Sequence, residues 1–179
     1  MAKSTNKNMG IIIAIIVIII AIIYFYQQQR PTIKVGEKQE IKLGIILGFT
    51  GPIESLTPAM AASAELAFKE ASDSGSLLSG STITPLRADS TCVDSAAAQS
   101  AAEGLLSQGI AAIMGADCSG VTGAIATNVA VPNGVVMISP SATSPGLTDL
   151  ADNGFFFRTA PSDARGGQIL ADITKDRGV

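Results

Sequence analysis

The amino-acid sequence predicts an α/β protein with a doubly wound, mostly parallel sheet, preceded by an N-terminal transmembrane helix. From Ile41 onward, short apolar runs rich in branched residues alternate with longer segments of helical period, which is typical of βαβ units. Before them, Met9 to Tyr26 is a run of eighteen residues without a charge. As a helix this run spans roughly 27 Å, which approaches the hydrocarbon thickness of a bilayer.

The predicted elements alternate regularly along the domain. A helix begins at Pro58, because proline is tolerated in a first helical turn. Pro85 removes a backbone donor from the second strand, which favours an edge position for that strand. The predicted strands are Ile41–Phe49, Ser81–Ser90, Ile110–Gly115, Gly134–Pro140 and Phe155–Ala160. The predicted helices are Pro58–Ser72, Ser95–Gln108, one that begins near Ser119 and one that opens at Ser162.

The apolar N-terminal run is interpreted as an uncleaved signal-anchor. Lys3 and Lys7 precede it, and aromatic residues and glutamines follow it, whereas a cleaved signal has a shorter apolar core that ends in small residues. A cleaved signal peptide is the alternative. The expected organisation is a cytoplasmic N-terminus at residues 1–8, a membrane anchor at 9–29, a polar tether at 30–40 and a domain at 41–179.

The composition excludes several classes of function. The sequence has no histidine, which removes Ser-His-Asp and Cys-His nucleophiles and His-ligated zinc. From Pro31 onward, 9 Lys and Arg stand against 15 Asp and Glu, a net charge of −6, which disfavours binding to nucleic acid. No dinucleotide or phosphate-loop fingerprint is present. We therefore expect a protein that is not an enzyme and that uses no cofactor and no metal.

The candidate site lies in the loops that follow the strands, where open α/β sheets bind their ligands. These loops carry Ser119 at the start of a helix, and Ser141 and Thr143 after the fourth strand. Hydroxyls and backbone N–H groups suit a carboxylate, although a single serine or threonine is more often a helix cap. Two such loops at one sheet edge favour a ligand site. Arg158 and Arg165 are interpreted as surface or domain-contact residues.

Two cysteines, Cys92 and Cys118, follow the second and third predicted strands. Two thiols without a C-x-x-C motif make a weak metal site, so a disulfide in an extracytoplasmic domain is favoured. Two buried free thiols in a cytosolic domain are the alternative. Asp89, Asp94 and Asp117 lie near the same sheet edge, but their spacing resembles neither a calcium loop nor any pattern that identifies catalytic carboxylates.

Five segments follow one another in a characteristic order. They are the TGP that ends Gly44–Pro52, the DSTC and ADCS segments that hold the cysteines, MISPSATSPGLT at Met137–Thr148, and FRTAPSD at Phe157–Asp163. In this order and spacing they resemble the type I periplasmic binding proteins of ABC importers, specifically the Leu/Ile/Val-binding branch. The resemblance runs from about Ile41 to the end of the chain.

The resemblance implies a binding site for a small amino acid. The groups that hold the ligand carboxylate in the family match Ser119 and Thr143. The backbone carbonyl that accepts the ammonium matches Ser141, and another backbone contact matches Asp117. Leu56 stands where relatives often place an aromatic ring over the ligand side chain, which leaves the pocket apolar but changes its size.

The resemblance also implies that Cys92 and Cys118 form the family's disulfide and that residues 41–179 form the N-terminal lobe of a two-lobed protein, truncated before the second lobe. A sheet that ends on a helix is the alternative. The implied function is that of the substrate-binding component of an ABC importer. It would be tethered to the cell membrane by its N-terminal helix, outside the cytoplasm.

The expected partners are a branched-chain or other aliphatic amino acid, or a similar small carboxylate, and ABC permease subunits. A ligand-sensing ectodomain of a membrane receptor is the alternative function, since the same fold serves signalling. An enzyme of doubly wound type would need a base or cofactor motif that the sequence lacks. We expect one lobe alone to bind more weakly by about 2–5 kcal/mol, because the ligand ammonium would lose its buried acidic partner.

Overall fold

The computed structural model describes residues 11–13, 15–22 and 37–178. The chain divides into two compact units, Met1–Glu37 and Lys38–Val179. In the first unit, residues 11–13 and 15–22 are helical and their side chains are exposed. Among the described residues, no helix combines the length and the hydropathy needed to cross a membrane. The predicted N-terminus at 1–8 lies outside the described residues, as do most of the tether and parts of the anchor.

The second unit contains a parallel sheet of five strands in the order β2-β1-β3-β4-β5. The strands are β1 (Glu40–Leu47), β2 (Thr82–Asp89), β3 (Ala112–Gly115), β4 (Val136–Ser139) and β5 (Phe156–Arg158). The helices are α1 (Thr57–Asp73), α2 (Ser95–Ser107), α3 (Ser119–Ile125) and α4 (Asp163–Arg177). Short 3-10 helices cover Leu78–Gly80, Val131–Asn133 and Pro145–Leu147, and a π-helical segment, Ala126–Ala130, continues α3. The predicted α/β fold and its order of elements are thus confirmed.

Local sequence features explain where several elements begin and end. The side chain of Asp94 accepts hydrogen bonds from the first backbone N–H groups of α2, and Ser162 caps α4 in the same way. Pro85 lies in β2, which is an edge strand as predicted. Strand β1 begins one residue earlier than predicted, at Glu40, and the strand ends otherwise agree with the predicted ones or fall up to two residues short of them.

The two faces of the sheet bury separate apolar clusters. Side chains alternate along β1, so Ile46 packs on one face while Ile45 and Leu47 pack on the other. Helices α2 and α3 cover the first face, and α1 covers β1 and β2 on the second. Arg87 of β2 donates two hydrogen bonds to Glu65 of α1, at 2.6 and 2.8 Å, and this contact lowers the pKa of Glu65.

Within residues 38–178, no element covers part of the second face. Over β3 to β5 it exposes Ile138 and Phe157, with 41% and 52% of their surface accessible. Beside them lies an apolar hollow of about 170 Å³, lined by Leu43, Phe68, Ala112, Ile113, Met114 and Ile138. We call this surface the open face. Helix α4 buries none of its residues.

The predicted disulfide is present in the structure. Cys92, in the loop after β2, is bonded to Cys118, in the loop after β3, and their Cα atoms are 5.2 Å apart. Strand β1 lies between β2 and β3, so the bond spans the end of β1. It joins two loops that are 26 residues apart in the chain.

Asp89, the last residue of β2, holds the loop that follows β1. Its carboxylate accepts hydrogen bonds from the Thr50 hydroxyl at 2.6 Å and from the Thr91 backbone N–H at 2.8 Å. Partial burial acts to raise the pKa of Asp89, but the hydrogen bonds from Thr50, Thr91 and Phe49 outweigh it. The pKa therefore lies below its ordinary value.

Replacing both Cys92 and Cys118 by serine is expected to lower the free energy of unfolding by about 3–4 kcal/mol, because the unfolded chain regains the entropy of the closed loop. Urea denaturation measures this change. The double variant should unfold at the same urea concentration with and without dithiothreitol. A wild-type midpoint that does not move when the bond is reduced would contradict the prediction.

The Asp89→Asn variant is expected to lose stability at neutral pH and to match the wild type in acid. The pKa of Asp89 is lower in the folded state, so its stabilising contribution is complete above the unfolded value of about 4 and is lost as the pH falls through the folded value. Urea denaturation at pH 7 and pH 3 measures the difference. Asp149→Asn, at an exposed carboxyl group, is the control. An equal difference at both pH values would show that ionisation of Asp89 is not the cause.

Candidate ligand-binding site

The structure brings the two predicted hydroxyl-bearing loops together at the carboxyl edge of the sheet. Ser119 is the first residue of α3, and its hydroxyl oxygen accepts a hydrogen bond from the backbone N–H of Ser144 at 3.1 Å. Thr143 directly precedes Ser144 in the turn of residues 140–144, which we call the β4 turn. The α3 start and the β4 turn are therefore in direct contact.

Asp117 is buried beneath this edge, with only 5% of its surface exposed. Its carboxylate accepts hydrogen bonds from the backbone N–H of Gly48 at 2.7 Å and of Cys118 at 2.8 Å, and from the Ser90 hydroxyl at 3.4 Å. Its backbone carbonyl accepts a hydrogen bond from the Ser141 hydroxyl at 3.0 Å. The side chain of Asp117 therefore holds together the loops that follow β1, β2 and β3. The sequence did not predict this role. Its proposed backbone contact with a ligand stays a prediction.

Thr143 is connected to the start of α4. Its hydroxyl donates a hydrogen bond to a carboxylate oxygen of Asp163 at 2.8 Å, and its carbonyl oxygen accepts one from the Asp163 backbone N–H at 2.9 Å. An ionised carboxylate only accepts hydrogen bonds, so the proton of the Thr143 hydroxyl points to Asp163. The lone pairs of that hydroxyl remain to accept a further hydrogen bond.

Arg158 contacts the β4 turn from the neighbouring strand β5. Its guanidinium donates hydrogen bonds to the carbonyl oxygens of Ser144 at 2.8 Å and Ala142 at 3.3 Å, and to the Thr148 hydroxyl at 2.6 Å. Arg158 is half-buried, and its hydrogen bonds to the β4 turn are a role that the interpretation as a surface or domain-contact residue did not include. No sequence motif could identify this role, because two of the acceptors are backbone carbonyls whose positions depend on the path of the turn.

The other candidate residues lie around this centre. Leu56 precedes α1 at the same sheet edge and has 60% of its surface exposed. Asp94 caps α2 and Asp89 binds Thr50, so each carboxylate has a structural role. Within residues 37–178 and the described N-terminal helical residues, no group of three or more His, Cys, Asp or Glu side chains is placed to hold a metal ion.

Comparison with known proteins finds a matching family and a similar curated protein. Residues 59–179 match the family described as the receptor family ligand binding region. The Leu/Ile/Val-binding protein homolog 3 of Brucella melitensis is 28% identical over 143 residues, which cover 74% of this chain and 35% of the relative.

Two solved structures share the fold. The branched-chain amino acid transporter substrate-binding protein LivJ of Streptococcus pneumoniae, in complex with isoleucine, is 31% identical with a TM-score of 0.62, over 69% of this chain and 34% of that one. An ABC transporter substrate-binding protein of Desulfitobacterium hafniense, in complex with leucine, is 29% identical with a TM-score of 0.65, over 78% of this chain and 39% of that one.

The chain spans about a third of the length of these relatives. The residues matched by the family, 59–179, include β2 to β5, both cysteines, Ser119 and the β4 turn. The match to the family covers well over half of the residues. The chain therefore belongs to the family of receptor ligand-binding regions and has the fold of the type I periplasmic binding proteins.

Proposed function

We propose that this chain binds the zwitterionic head of an aliphatic amino acid as part of the extracytoplasmic substrate-binding component of an ABC importer. The contact between the Ser144 N–H and the Ser119 hydroxyl is the observation that carries the proposal. It brings two hydroxyl-bearing loops to one point at the sheet edge, where this class of fold binds ligands. Relatives solved with isoleucine and with leucine support the class of ligand.

The two hydroxyls suit opposite ends of the ligand. The Ser119 oxygen accepts from Ser144, and its own proton can donate to a carboxylate oxygen. The Thr143 hydroxyl donates to Asp163, so it can offer lone pairs to an ammonium group, as can the carbonyl oxygen of Ser141. The Thr143 backbone N–H remains a donor for the carboxylate. The family resemblance implies that Thr143 holds the ligand carboxylate. In this assignment only its backbone N–H does so, and its hydroxyl accepts from the ammonium group.

The ligand side chain would lie toward Leu56. This residue is exposed and apolar at the same sheet edge, so it favours an aliphatic side chain over a charged one. It offers less contact area than an aromatic ring. We therefore propose binding of a zwitterionic head with a selectivity among leucine, isoleucine and valine that Leu56 sets only weakly.

A second candidate is the ligand-sensing ectodomain of a membrane receptor. The description of the matched family as a receptor ligand-binding region favours it. Both candidates use the same site, so binding does not separate them. Leucine uptake that is lost when the gene is deleted would indicate the importer, whereas unchanged uptake with a lost cellular response to leucine would indicate the receptor.

We also propose that residues 9–29 anchor the domain in the membrane, with the disulfide-containing domain outside the cytoplasm. The uncharged run and the presence of a disulfide support this arrangement. In bacterial membranes washed with alkaline carbonate, the full chain is expected to stay in the pellet, and a variant with Ile15, Ile16 and Ile19 replaced by aspartate should be released. Release of the wild-type chain would contradict the anchor.

Isothermal titration of the full chain in detergent micelles with L-leucine is expected to give saturable binding. Ser119→Ala should weaken it by about tenfold or more, since hydrogen bonds to charged groups contribute roughly 1.5–3 kcal/mol. Ser100→Ala, at an exposed serine of α2, is the matched control and should bind like the wild type. Equal affinity of the Ser119→Ala variant would remove Ser119 from the site. Absence of wild-type binding to leucine, isoleucine and valine would contradict the proposed function.

A further inference from the structure

Arg158 stands out because a half-buried cation contacts three neutral acceptors in one short segment. The acceptors are the carbonyl oxygens of Ala142 and Ser144 and the hydroxyl of Thr148. Within the described part of the chain, Arg158 forms no ion pair with a carboxylate. These hydrogen bonds of the Arg158 side chain therefore all hold the segment between residues 142 and 148.

The contact with Ala142 bears on the ligand site through one peptide unit. The carbonyl oxygen of Ala142 and the N–H of Thr143 belong to the same planar peptide group, in which they point in opposite directions. A guanidinium that holds the oxygen therefore also fixes the direction of the N–H. That N–H is the group proposed above to donate to the ligand carboxylate.

The second carbonyl contact holds the other end of the β4 turn. Ser144 donates its N–H to Ser119 while its carbonyl oxygen accepts from Arg158 at 2.8 Å. Ser144 is thus held from two sides, by α3 and by β5. Nη1 of Arg158 donates to both carbonyl oxygens while Nη2 donates to the Thr148 hydroxyl, and a lysine ammonium on a flexible stem reproduces this fixed spread of donors less well.

We infer that Arg158 is a positioning residue for ligand binding, which acts by orienting the Thr143 N–H and by fixing the β4 turn against Ser119. The inference rests on the proposed function for its effect on affinity. Its structural part, the orientation of the Thr143 N–H, does not depend on any ligand. The two parts can therefore be tested separately in one set of variants.

The test compares Arg158→Met, Arg158→Lys and the control Arg165→Met in the full chain in detergent micelles. Arg165 lies in the exposed first turns of α4, and among the described residues its side chain donates only to Gln168. At a temperature where circular dichroism shows every variant folded, Arg158→Met is expected to weaken leucine binding by about tenfold or more. Arg158→Lys should fall between Arg158→Met and the wild type, and Arg165→Met should match the wild type.

Without ligand, the ¹⁵N–¹H signal of Thr143 should shift in Arg158→Met, and the amide hydrogen of Ser144, which is bonded to Ser119, should exchange faster; both changes should be smaller in Arg158→Lys. Unchanged Thr143 signals in a folded Arg158→Met variant would overturn the inference, as would unchanged leucine affinity. If Arg158→Met does not fold, Arg158→Lys decides between the same outcomes. If the wild type binds no leucine, the proposed function fails, and the Thr143 signals still decide whether Arg158 orients the turn.

Discussion

The carboxylate of Asp117 is the interaction on which the arrangement of the site depends. A buried carboxylate is costly unless donors surround it. Here the donors come from Gly48 after β1, Ser90 after β2 and Cys118 after β3, while Ser141 after β4 binds the carbonyl of the same residue. Four loops that are distant in sequence must therefore converge on one residue, and this convergence positions the start of α3 against the β4 turn.

Around this centre, the groups proposed to contact a ligand are neutral, and the charged groups contact them from the protein side. Ser119 and Thr143 offer hydroxyls, whereas Asp163 and Arg158 contact Thr143 and the backbone of the β4 turn. Neutral donors and acceptors that are already oriented can hold a small ion. A fixed charge in the same place would bind other ions equally well. The disulfide between Cys92 and Cys118 adds a covalent constraint on the same loops.

The sequence predicts the fold well because the fold depends on periodicity and on a few special residues. Apolar runs locate all five strands, and Pro85 places β2 at an edge. The cysteine pair and the contact between Ser119 and the β4 turn also follow from loop positions after parallel strands. The roles of Asp117 and Arg158 do not follow, because their partners are mainly backbone groups whose positions depend on the folded path of several loops.

The open face over β3 to β5 links the stability of this domain to whatever occupies that surface. Covering Ile138 and Phe157 removes apolar area from water, at roughly 25 cal/mol per Å². A species that covers them and prefers the folded chain to the unfolded one raises the apparent melting temperature as its concentration rises. Melting temperatures of this protein are therefore comparable only between samples of matched concentration and detergent content.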